Sequence, residues 1–143
     1  MKPVAYIIGM DLNGLGVLRS LAPQGIDCVC IDSEPSMPGM RSRFGRKQPF
    51  NSLSGQDFID ELTALAKMES TPPVLFLTQE ASVTSISEAR EQVQASCRVR
   101  LPDHDTLMAL MDKDRFHQLA VDHNAPLPRS ITLHSISDLP QLT

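Results

Sequence analysis

Val4-Ala5-Tyr6-Ile7-Ile8 runs straight into Gly9-Met10-Asp11-Leu12-Asn13-Gly14-Leu15-Gly16, and the reading of this junction decides the fold. The apolar run is too short for a helix. Unbroken by polar residues and closed by a turn, it reads as a strand buried on both faces, the habit of parallel sheets. A helical period follows the glycines, with Leu15, Leu18, Leu21 and Ala22 on one face. Strand, tight turn and amphipathic helix make the first half of a βαβ unit.

The alternation repeats downstream. Cys28–Ile31 and Val74–Leu77 are further short apolar runs, while Phe58, Ile59, Leu62, Leu65 and Ala66, and then Val83, Ile86, Ala89 and Val93, fall at helical spacing. Strand and helix in turn, joined by right-handed crossovers, predict an α/β, Rossmann-like open parallel sheet of four to five strands with helices on both faces. Cys97-Arg98-Val99-Arg100-Leu101 alternates apolar with basic and predicts a half-exposed strand stopped by Pro102. Beyond Asp103 two helical pieces follow, one with Leu107, Met108, Leu110 and Met111, the other with Phe116, Leu119 and Ala120. Asn124 is suited to close the second in a left-handed conformation, and Pro126 and Pro128 forbid its continuation. Ser130–Leu133 reads as another strand and Ser135–Leu139 as the cap and first turn of a helix. A strand and helix opened this late have nothing to pack on, so we expect the chain to be the front of something longer.

Composition narrows the function. The chain has 143 residues, 41% hydrophobic and 21% charged, and 13 Lys plus Arg against 17 Asp plus Glu give a formal charge of -4. That balance predicts no nucleic-acid partner and no attraction to an anionic membrane. No apolar run is long enough to span a bilayer and the first residues lack the features of a signal peptide, so a cytoplasmic protein is expected. Three cysteines, Cys28, Cys30 and Cys97, are too few for a disulfide framework and have no Cys/His pair at ligand spacing, so they read as small buried hydrophobes and no metal site is expected.

Residues 33–54 read as one long irregular stretch with Arg41, Arg43, Arg46 and Lys47 and no acidic residue from Ser36 to Gln56. It is either a solvated basic loop or a flap that meets an anionic ligand. The turn at Gly9–Gly16 could bring backbone amides to an anion at the start of a helix, yet it matches neither common nucleotide motif. G-x-G-x-x-G needs glycine where Asp11 stands, and the P-loop needs Lys-Ser/Thr where Leu15-Gly16 stand. Asp32 ends the second strand, where a dinucleotide fold keeps its ribose-binding acid. A phosphorylated receiver domain would need an aspartate where Thr78 stands. The four histidines form no H-x-x-x-H pair and no serine occupies a G-x-S-x-G elbow, so no catalytic residue is assigned in this chain.

Met111-Asp112-Lys113-Asp114-Arg115-Phe116, followed by His123-Asn124-Ala125-Pro126-Leu127-Pro128, resembles the hinge region of ATP-grasp ligases, among them biotin carboxylase, the carbamoyl phosphate synthetase large subunit and carboxylate–amine ligases. The rest is similar in the same order: Gly9 to Gly16 resembles the first turn of that family's amino-terminal domain, Gly25–Val29 its second strand, and Leu77-Thr78-Gln79-Glu80 its third strand and following helix. The resemblance implies a Rossmann-like domain over 1–125 that lends a wall to the substrate cleft, and the start of an ATP-grasp domain over 126–143. It implies Lys113 as an ATP contact, and Gly9, Asn13, Gly14, Gly16, Glu80, Arg41 and Arg43 as residues of the substrate cleft. It also implies ATP and Mg2+ as cofactors of a full-length enzyme, neither bound tightly by this part, with a small-molecule carboxylate and amine as substrates and a homodimer as a possible state. Two departures stand out: Gln79-Glu80 replaces the small residue and aspartate common after the third strand, and Asn124 replaces a glycine. The competing expectations are a free-standing nucleotide- or dinucleotide-binding regulatory module built on Gly9–Gly16 and Asp32, and an interaction domain without a ligand.

Overall fold

The computed structural model describes residues 2–128. The strand and helix expected at Ser130–Leu133 and Ser135–Leu139 lie outside them. The described chain forms two units that part between Leu101 and Pro102.

The first unit is an α/β fold. Strands β1 (Ala5–Ile8), β2 (Cys28–Asp32), β3 (Arg46–Pro49) and β4 (Val74–Leu77) form one sheet in the order β3-β2-β1-β4. Every pairing is parallel, with Ile7 opposite Cys30 and Phe76, and Ile31 opposite Gln48. The two central strands are buried along their whole length, as their unbroken apolar sequence requires. Alternate side chains feed two cores. Tyr6, Ile8, Val29 and Ile31 meet Phe58, Ile59, Leu62, Ile86 and Val93 from α2 (Gly55–Ala66), α3 (Glu80–Glu88) and α4 (Arg90–Gln94). Ala5, Ile7, Cys28 and Cys30 instead meet Leu18 of α1 (Leu12–Leu21), with Met10 and Phe44.

Three expectations are corrected. Residues 33–54 are not wholly irregular, because Arg46–Pro49 forms β3 at the sheet edge. An edge strand needs no apolar run, and charged side chains there discourage pairing with another chain. Cys97–Leu101 is not a strand: a single bridge joins Val74 to Arg98, through Leu75 N–H to the Arg98 carbonyl at 2.9 Å and Arg98 N–H to the Pro73 carbonyl at 2.8 Å. The period through Val83 and Val93 is two helices, broken at Ala89 where φ is -100° and ψ is 30°.

Tyr6 is a buried polar group with its partners in place. Its hydroxyl donates to Glu69 Oε1 at 3.1 Å, and that carboxylate also takes the Arg46 guanidinium of β3 at 2.8 Å. Burial first, and then the Glu69 contact, push the phenol well above its ordinary range.

The second unit holds α5 (His104–Met111) and α6 (Lys113–Asp122), capped by the Asp103 and Asp112 carboxylates. Asn124 adopts the left-handed conformation expected of it, with φ at 52°. Asn124 N–H reaches the Val121 carbonyl at 3.0 Å and Ala125 N–H the Ala120 carbonyl at 2.8 Å, the paired bonds of a Schellman stop.

Candidate functional site

In an open parallel sheet, ligands gather outside the carboxyl ends of the strands where the strand order reverses. From β1 the chain proceeds outward to β2 and β3, then crosses back to β4 on the other side of β1. The crevice therefore lies between the turns that follow β1 and β4, which are Gly9–Asp11 and Thr78–Glu80.

Close packing shapes this crevice. Gly9 has φ at 88°, and a Cβ there would lie 2.6 Å from Gln79 Cγ and 2.7 Å from Thr78 Oγ1. A Cβ on Gly14 would lie 1.9 Å from the Gly9 carbonyl oxygen, so only glycine lets α1 pack this tightly on the turn. The Thr78 hydroxyl ties the two turns together, lying 3.0 Å from the Ile8 carbonyl oxygen and 2.7 Å from that of Gly9. Thr78 and Gln79 are thus the side chains set against Gly9, and the sequence reading did not assign them to the cleft. The available signal was their position directly after a buried strand.

The amino end of α1 already has its anion. Asp11 accepts from Asn13 N–H at 2.9 Å and Gly14 N–H at 3.3 Å, so a carboxylate of the chain occupies the place where a phosphate would sit. Asp32 is committed as well. It is 1% exposed, and its carboxylate accepts from the backbone N–H of Met10 and, at 2.9 Å, of Glu34. It fastens the β1–α1 turn to the end of β2 rather than facing a ribose.

The other expected residues are distributed as follows. Asn13, Gly16 and Glu80 are exposed, Glu80 as the first residue of α3. Nothing lies within 4 Å of a Cβ on Gly16, so that glycine serves no close approach here. Arg41 and Arg43 line a groove with Leu15 and Arg19 of α1. Lys113 belongs to the second unit, exposed at the start of α6, where Asp112 accepts from Asp114 N–H at 3.0 Å and Arg115 N–H at 2.9 Å. Among the described residues no group of three or more His, Cys, Asp or Glu side chains is placed to hold a metal ion. No described helix is long and apolar enough to cross a membrane.

Three solved structures share this fold. Glycinamide-RNase-transformylase T from Mycobacterium tuberculosis superposes with a TM-score of 0.65 at 17% identity, over 96% of this chain and 37% of the other. The biotin carboxylase domain of a single-chain bacterial carboxylase matches with 0.62 at 18%, over 98% and 33%. The multifunctional pyruvate carboxylase from Rhizobium etli matches with 0.53 at 20%, over 91% and 13%. The chain shares its fold with a part of each of these three proteins. The chain spans about a third of the first two structures and less of the third. No protein-family model and no curated protein sequence matches it.

Proposed function

We propose that this chain is the amino-terminal, cleft-forming domain of an ATP-grasp ligase that activates a carboxylate and joins it to an amine, and that it is inactive by itself. The observation that carries the reading is the coverage: nearly all of this chain corresponds to about a third of a larger transformylase or carboxylase chain. The occupied amino end of α1 and the buried Asp32 support it against a nucleotide-binding module, because both groups such a module would use are already bonded within the chain.

In the reaction, a carboxylate oxygen bonds to the γ-phosphorus of ATP and ADP leaves. The amine nitrogen then bonds to the acyl carbon and inorganic phosphate leaves with the bridging oxygen. ATP and magnesium would supply the phosphoryl group and the charge neutralisation it needs. The described residues hold no acidic set for the metal, so we assign that role to the rest of the intact protein. Gly9, Gly14, Thr78 and Gln79 shape the wall facing the carboxylate, with Asn13, Gly16 and Glu80 at its exposed margin, while Arg41 and Arg43 lie apart from it in the groove beside Leu15 and Arg19. Lys113 offers ATP a flexible point charge.

Two measurements test this reading. Millimolar NAD(H) or AMP leaves the melting temperature of the chain unchanged; a rise would support the regulatory module, since a ligand that binds only the native state stabilises it. In the intact protein, Lys113→Ala raises KM for ATP; an unchanged KM would remove Lys113 from the site.

A further inference from the structure

We propose that the groove between α1 and the 38–44 segment binds the phosphoryl group of a small molecule, held by Arg19, Arg41 and Arg43. The site stands independently of the ligase reading. Arg19 comes from the last turn of α1, and Arg41 and Arg43 from the facing segment, so three arginines from two stretches of chain line one groove. Among the described residues no carboxylate lines it. None of the three arginines takes part in an ion pair among the described residues. Glu34 acts on Arg41 through space, but it accepts from Ser36 N–H at 3.0 Å and is not part of the groove wall.

A run of surface charge usually only meets water, and what distinguishes this one is that its backbone is fastened. Gly39 N–H donates to the Met10 carbonyl at 2.8 Å, and a Cβ on Gly39 would lie 2.3 Å from Met10 Cε. Phe44 packs into the α1-side core, while Gly45 turns with φ at 71°. The Lys47 ammonium donates to the Phe44 and Gly45 carbonyls, and the Arg43 guanidinium stacks 4.9 Å from the Phe44 ring centre. The groove wall is therefore formed before any ligand arrives, which lowers the ordering cost of binding.

The chemistry selects the ligand. Three arginines lining one groove of a chain of formal charge -4 make a local concentration of positive charge that suits a doubly charged anion. Guanidinium forks match phosphate oxygens in pairs, and a phosphate monoester presents three such oxygens and nearly two charges. A lone carboxylate presents two oxygens and one charge, too few for three arginines. Ser42 adds a hydroxyl that can donate to the same group, since its oxygen already accepts from Phe44 N–H at 3.2 Å.

The test is a titration of the chain with inorganic phosphate at fixed ionic strength, followed by calorimetry and by the NMR signals of the arginine Nε–H groups. We expect saturable one-to-one binding that moves the signals of Arg19, Arg41 and Arg43. Arg19→Gln and Arg43→Gln each weaken it about tenfold, from the loss of one charge-assisted contact. Arg98→Gln and Arg100→Gln, which remove the same charge elsewhere, leave it unchanged. The NMR signals of the unmodified chain provide the readout if a variant folds poorly. Failure to saturate, tighter binding of citrate than of phosphate, or equal weakening by Arg98→Gln would each overturn the proposal.

Discussion

Gly14 and Gly16 sit two residues apart on one helix and have opposite reasons to exist. A side chain at Gly14 would collide with the Gly9 carbonyl, whereas one at Gly16 would meet nothing. Gly14→Ala therefore destabilises the chain by about 2–4 kcal/mol, as a clash with backbone that cannot yield. Gly16→Ala stabilises by about 0.5–1 kcal/mol, by removing glycine from an exposed helix interior. Urea denaturation of the two variants checks both signs, and equal effects would contradict the packing described. The glycines were legible in the sequence as a tight turn, but their separate roles were not. Which glycine faces the carbonyl depends on the angle at which α1 leaves β1, and that angle is set by Asp11 and Asp32, two carboxylates whose partners are backbone groups invisible to a motif. For the same reason Asp32 stands in the sequence where a dinucleotide fold keeps its ribose-binding acid, and in the fold it is a clamp on Met10 and Glu34.

At the scale of elements, the stop of α6 shows a residue choice with a measurable consequence. Asn124 holds φ at 52°, where asparagine is tolerated, glycine is favoured and β-branched residues are strained. Asn124→Gly changes stability by less than about 1 kcal/mol, and Asn124→Val costs about 1–2 kcal/mol. Amide exchange reports the outcome locally: in Asn124→Val the Ala125 N–H, bonded to Ala120, loses protection before the middle of α6 does. Unaltered exchange there would mean the Schellman stop does not fasten the helix. This stop was legible because asparagine followed by two prolines constrains the backbone directly. The buried strands were legible too, since β1, β2 and β4 carry unbroken apolar runs. β3 was hidden because Arg46-Lys47-Gln48-Pro49 makes its backbone pairing to β2 with no apolar signature. Cys97–Leu101 misled in the other direction, alternating like a strand while pairing only at Arg98.

For the whole molecule, the buried acids fix the response to alkali. Tyr6 is held above its ordinary value of 10.0, and burial raises Cys28, Cys30 and Cys97 above their ordinary 9.0. A group whose folded value is raised contributes its full stability below the unfolded value and loses it as pH climbs toward the folded one. The urea midpoint therefore falls once pH passes 9.0, through the thiols, and falls more steeply past 10.0 as Tyr6 joins them. Tyr6→Phe is less stable at neutral pH, having lost the bond to Glu69, and its decline above 10.0 is shallower. A midpoint indifferent to alkali would show that these groups are not buried as described. The cleft itself was only partly legible. Gly9 and Gly14 stand where the strand-turn-helix junction places them, while Thr78 and Gln79 emerge only once the crossing from β3 back to β4 sets the two turns side by side. The proposed chemistry belongs to the intact protein, and isotope transfer reports on it. With a panel of carboxylates labelled with oxygen-18, magnesium, ATP and an amine, the expected products are ADP and inorganic phosphate carrying one labelled oxygen from the consumed carboxylate. Unlabelled phosphate, or AMP and pyrophosphate in place of ADP, would contradict it.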